Sequence, residues 1–164
     1  MTEILSFARN RCTTVHQSAD RTLESVCRLQ DTLTEAEVRL TVALPDLDIT
    51  AASGRVHWSR RLKPGDVSDL LVPLVGVRIG QGLLKIIKGL LGEKVDRQIS
   101  FMVEECCQAV ILAFTRETLA QVDRETASSL EFFRDMVRNN IRLYGRCAAF
   151  AEGSRLVEGL EPPQ

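Results

Sequence analysis

The spacing of apolar residues changes once along this chain, from every second residue to every third or fourth, and that change limits the folds open to it. In residues 37–44, Val38, Leu40, Val42 and Leu44 fall on one side of an extended backbone, the period of a half-buried strand. From Asp96 the apolar residues Ile99, Met102, Val103, Cys106, Val110 and Phe114 form one stripe of a helix reaching about Leu119. A strand-rich part followed by a helical part predicts an α+β fold, with helices covering one face of an antiparallel sheet.

Within residues 1–60 the pattern predicts an antiparallel β-meander of about four strands. Residues 11–16 and 23–29 are β-branched or alternating, 37–44 alternate strictly, and 49–58 form a further strand with Gly54 as a bulge. Pro45 ends the third strand, and residues 46–48 read as a turn. The helical half spans residues 66–150. Asp66 reads as the N-cap of a short helix through Leu71, stopped by Pro73. A glycine-punctuated connection, residues 75–82, then leads into an apolar helix over 83–91 that ends at Gly92. A second stripe, Leu130, Phe133, Val137, Ile141 and Tyr144, marks a last helix. With residues 123–126 as a turn, the two long helices make a C-terminal hairpin packed on one face of the sheet. The tail, residues 158–164 with Pro162 and Pro163, is expected to fray.

Composition narrows the function classes. A length of 164 residues suits a single domain with its own core. A net charge of −1 gives no basic face for wrapping nucleic acid, and aromatics at 5% offer no base-stacking platform. No uninterrupted apolar stretch reaches the roughly 18 residues that span a bilayer. Glu3 stands where a secretory signal wants basic residues, so a cytoplasmic location is expected. Five cysteines, Cys12, Cys27, Cys106, Cys107 and Cys147, are odd in number without a C-x-x-C pair, and read as small buried hydrophobes.

Three sets of residues could carry chemistry. Arg78 with Gly80 and Gly82, just before a helix, could present backbone N–H groups and a cation to an anion, although a structural turn explains the glycines better. His16 and His57 could converge with Cys12 on a metal if their strands are neighbours, or serve a small enzyme or metal carrier built on Cys147. The spacing does not demand either, and neither a metal nor a cofactor is expected. Lys85 and Lys88 suit a core helix with one solvated edge better than a membrane-surface helix. Phe132 beside Phe133 cannot place both rings on one core stripe, which points to a homodimer through the C-terminal helices. The pattern as a whole fits a non-catalytic binding or assembly domain, with room for a small ligand between sheet and helices.

Residues 74–82, Leu-Val-Gly-Val-Arg-Ile-Gly-Gln-Gly, resemble the L-x-G-L-R-I-G-x-G stretch of an uncharacterised bacterial domain-of-unknown-function family. The likeness extends over most of the chain, including Cys147-Ala148-Ala149-Phe150 with Gly153 and Val157 near the end. The family carries G-C-T-H-L before its next helix. Here that segment is Val95-Asp96-Arg97-Gln98-Ile99, so Asp96 stands at the cysteine and Gln98 at the histidine. Lys63-Pro64 stands where a further family cysteine precedes a proline. If the family residues form a metal or cluster site, the resemblance implies a degenerate member that retains only Cys147.

Overall fold

The computed structural model describes residues 7–19, 21–80, 82–120, 122–139, 141–145 and 148–161. The α+β class holds: an antiparallel sheet comes first and helices follow. Strands β1 (Arg9–Ala19), β2 (Thr22–Asp31), β3 (Thr34–Ala43) and β4 (Asp48–Ser59) lie side by side in chain order. A two-residue strand, β5 (Gly65–Asp66), pairs with Arg55 and Val56 and brings the number to five. So short a strand has no period to read in sequence.

One face of the sheet is core. The register sets Cys27 beside Val38 and Leu29 beside Ala36, and Leu40, Val42 and Val56 complete a buried surface. Against it packs α3 (Arg97–Ala120), whose Ile99, Met102, Val103, Cys106 and Val110 are buried as the helical period requires. Cys107 is wholly buried too, so the stripe is wider than the sequence reading drew it. The segment Arg97–Arg116 is long and apolar enough to cross a membrane by composition, yet this is the helix that fills the sheet's core face. Its contact with β2 is specific, because the buried Ser25 hydroxyl donates to the Cys106 carbonyl at 3.0 Å. A buried hydroxyl left without such an acceptor would destabilise the core by about 1–3 kcal/mol.

Gly54 is not the bulge. It pairs regularly with Val38, and the register breaks instead at Thr50 and at His57, each an extra residue on β4. Gly54 is glycine because α1 (Ser68–Leu71) crosses β4 there. A Cβ at that point would sit 2.9 Å from Val67 Cγ2 and 3.0 Å from Leu71 Cδ1. Gly54→Val should therefore overpack this contact and cost about 2 kcal/mol, read as a lower urea midpoint. An unchanged midpoint would mean that α1 moves aside freely. Asp66 is not the N-cap of α1, a position Val67 takes; it ends β5, and its carboxylate accepts the Ser68 amide at 2.7 Å.

The glycine-punctuated connection lies along the start of β4. The Gly76 amide donates to the Ile49 carbonyl, the Ile49 amide to Val77, and the Ile79 amide to Leu47, all at 2.8–2.9 Å. Asp48 and Arg78 form a bridge within it. With β5 at its other end, β4 is covered along much of its outer side. Next comes α2 (Leu83–Leu91), whose Leu83, Ile87 and Leu91 are buried, and Gly92 takes the positive φ of +49° that ends it.

The sequence reads as one domain, and the described residues form two compact units. One runs through Ile79 and takes in Leu84–Ala113; the other comprises Gly80–Leu83 and Phe114 onward. In the second unit the Asp123 carboxylate accepts the Glu125 and Thr126 amides and the Thr126 hydroxyl, closing the expected turn after α3. Ser129 then caps α4 (Leu130–Asn139) through the Phe132 amide. The long hairpin needs correcting in its second arm. α4 has only ten residues, and Ile141–Leu143 and Ala148–Phe150 are separate 3-10 turns, so Ile141 and Tyr144 do not continue its stripe. Leu130, read as the start of that stripe, is 46% exposed, while Met136 and Val137 are the buried residues. The tail is also tied down as far as it is described. Val157 is buried and Glu158 pairs with Arg134 at 3.0 Å, while Pro162 and Pro163 lie outside the described residues.

Candidate ligand-binding cleft

At one end of the sheet the start of β1, the end of β2, the start of β3 and the segment after β4 all meet the first turns of α3. They enclose a cleft of about 400 Å³ lined by Arg9, Arg11, Leu29, Asp31, Leu33, Thr34, Arg61, Arg97, Gln98, Phe101 and Met102. That volume lies in the range of small-molecule sites, roughly 300–1,000 Å³. Four arginines face one carboxylate. The register explains how they gather, since Arg9 stands opposite Asp31 and Arg11 opposite Leu29, both on the face that α3 covers.

Asp31 organises the cleft. Its side chain is only 1% exposed, and Arg9 donates to it through Nε at 3.0 Å and NH2 at 2.8 Å. The Leu33 amide donates at 2.8 Å and the Gln98 side chain at 3.4 Å. Burial pushes its pKa up, but the amides of Leu33 and Thr34 and the Arg9 guanidinium outweigh that and hold it below the usual carboxylate value.

Two other arginines are partly engaged. Arg11 lies over the Phe101 ring at 4.4 Å and 3.9 Å from Glu105. Arg61 pairs with Asp96 at 3.2 Å, and Asp96 also caps α3 by accepting the Gln98 amide at 2.8 Å. Arg97 differs. It occupies the first turn of α3, where the helix end is already positive, and among the described residues no carboxylate lies within ion-pair distance of it. It attracts Glu104 without forming a close pair, so the most loosely held positive charge is at the helix end of the cleft.

The residues singled out from sequence lie elsewhere. Arg78 is committed to Asp48 at 2.8 Å, with Asp46 at 3.7 Å, so its charge holds the connection to β4 instead of facing an anion unpaired. Gly82 has φ +75°, and the Gly80 carbonyl accepts the Leu83 amide at 3.3 Å, as expected of a turn entering a helix. His16 and His57 are corrected as a pair. They lie on β1 and β4 with two strands between, roughly 14 Å apart across the sheet before any offset along it. Cys12 is four residues from His16 along the same strand, roughly 13 Å, too far to share a metal with it. Among the described residues no three His, Cys, Asp or Glu side chains are grouped to hold a metal ion. Cys147 lies outside the described residues. Asp96 serves as a helix cap and Gln98 as a donor to Asp31.

Comparison with protein-family models, with curated proteins and with solved structures finds no match to this chain. The resemblance at residues 74–82 rests on residues whose work is visible. Leu74 and Ile79 are wholly buried, Gly76 takes φ +87°, and Arg78 clamps Asp48.

Room for a ligand between sheet and helices was legible in the sequence, but the arginines that line this cleft were not. Its arginines are scattered over positions 9, 11, 61 and 97, and only the register and the crossing of α3 bring them together.

The thiols divide sharply. Cys12 is exposed, whereas Cys27, Cys106 and Cys107 are buried, and burial raises the pKa of Cys27 and Cys106. Pulse alkylation with peptide mapping should label Cys12 in the native protein and the other three only on unfolding. Native labelling of Cys106 would show that α3 leaves the sheet readily.

Proposed function

We propose that this protein is a non-catalytic binding domain whose cleft between sheet and α3 holds a small anion, a carboxylate or phosphate attached to an apolar body. The observation that carries this is Arg97, a cation on a positive helix end with no carboxylate within ion-pair distance among the described residues, beside three further arginines. Phe101, 39% exposed, with Leu33 and Met102, supplies apolar surface for the ligand's body. The lining contains no cysteine, serine or histidine, and its one hydroxyl, on Thr34, is paired with the Ser59 hydroxyl at 3.1 Å. That favours binding over nucleophilic chemistry. Calorimetry at low ionic strength with inorganic phosphate and with benzoate is the test. Saturable binding of either, weakened by added salt, is expected. Failure of both at millimolar concentration would remove the proposal.

A second reading concerns assembly. Leu130 on α4 is an exposed aliphatic that a second copy would cover, which favours a homodimer through the C-terminal helices. The argument from Phe132 and Phe133 is weaker now, because their half-buried rings meet each other edge to face at 5.5 Å. Light scattering after size exclusion should give twice the 18.3 kDa chain mass. A monomer at micromolar concentration would end this reading. A cytoplasmic setting and a degenerate place in the bacterial family complete the proposal, and the four cysteines among the described residues, all free thiols, fit a reducing compartment.

A further inference from the structure

The two edges of the sheet are treated differently. The β4 side is covered by β5 and by the bridge from Asp48 to Arg78. On the other side, β1 pairs with β2 alone among the described residues, and its pairing runs without a break from Arg9 to Gln17. Such an edge presents a row of backbone donors and acceptors that another strand can take up. Exposed edges are commonly blunted by charges. Here Arg9 and Arg11 are turned onto the α3 side, where Asp31 holds the first and Phe101 and Glu105 the second, and so they frame the edge without blocking it.

We propose that the partner is an acidic polypeptide segment that adds to β1 as a sixth strand and places two alternate carboxylates beside Arg9 and Arg11 at the mouth of the cleft. This rests on the anion-binding reading of the same cleft and names its ligand class. The pattern follows from the strand period. Side chains on the cleft side of β1 run Arg9, Arg11, Thr13, Val15, so the incoming strand needs acids at two alternate positions, then a small polar and an aliphatic residue. Adjacent acids would point to opposite faces, and only one could reach the arginines.

The test compares fluorescein-labelled octapeptides of one composition with the full-length protein. One set carries glutamates at alternate positions, in either chain direction, followed by threonine and valine on the same face. A second set has the two glutamates adjacent, and a third repeats the first with alternate backbone nitrogens methylated. Inorganic phosphate and benzoate are titrated in parallel. The alternate peptide in one direction is expected to bind about tenfold tighter than the adjacent one, in keeping with one charge pair lost. Methylation of the nitrogens that face β1 should abolish binding, and hydrogen exchange should slow at amides within residues 9–15. Equal binding of alternate and adjacent peptides, or binding indifferent to methylation, would overturn strand addition. If a small anion still binds, the cleft reading survives that result; if neither anion nor peptide binds, both fall.

Discussion

Asp31→Ala is expected to lower the stability of this protein by roughly 3 kcal/mol, a loss set by how many groups depend on one buried carboxylate. The Leu33 amide, the Arg9 guanidinium and the Gln98 side chain all donate to it. Removing it leaves four arginines around a cleft without its one lining carboxylate. Asp31→Asn keeps the shape and an acceptor for Leu33 but loses the charge, so about half the effect should remain. The effect depends on pH in one direction. The folded carboxyl has a lowered pKa, so its contribution is fully present above the unfolded value of about 3.9 and is lost as pH falls through the lower folded value. Urea midpoints of wild type and Asp31→Asn should therefore differ by a constant amount between pH 5 and 7 and converge in more acid solution. A gap that widened toward low pH would show that Asp31 is not the charged acceptor drawn here.

How much was legible in the sequence depended on whether a feature was local. The strict alternation at Val38, Leu40 and Val42 and the stripe at Ile99, Met102 and Val103 each report a face, and those faces meet in the core. Boundaries set by capping were legible too. Asp96 starts α3 and Gly92 ends α2, because each supplies a backbone need within a few residues. Gly54 was misread because a glycine in a strand has two explanations. The one that applies, the approach of Val67 and Leu71, depends on a helix that crosses from elsewhere. α4 was drawn too long because Ile141 and Tyr144 keep the helical period by spacing alone, beyond Asn139 where α4 stops. The cleft was the least legible feature. Arg9 and Arg61 are 52 positions apart, and nothing local to either marks it as facing a common space. Arg78 beside its glycines looked the better anion site because the signal was contiguous, yet the same fold that gathered the other arginines gave Arg78 its own carboxylates.

Arg97→Glu should separate the binding role of the cleft from its structural role, because it should change affinity far more than stability. Arg97 lies in the first turn of α3, where a cation opposes the helix dipole and an acid favours it. Reversal gains at the helix end and gives up the attraction to Glu104, so stability should change by no more than about 0.5 kcal/mol. Binding of phosphate or benzoate should fall far more. At about 6 Å and an effective dielectric near 40, one unit charge contributes roughly 1.4 kcal/mol, so reversing it changes affinity by roughly 100-fold. Arg97→Gln removes one unit and should cost about tenfold. Arg78→Glu is the matched control. That guanidinium is engaged by Asp48 and Asp46 on the far side of the sheet from β1, so its loss should weaken the connection to β4 and leave anion affinity unchanged. Added salt should compress the difference between wild type and Arg97→Glu, since charges at an open cleft are screened over about 10 Å at 0.1 M. Should Arg97→Glu bind as wild type does while Arg78→Glu does not, the anion site would belong to the glycine connection after all, and the cleft would be a structural gap lined by paired arginines.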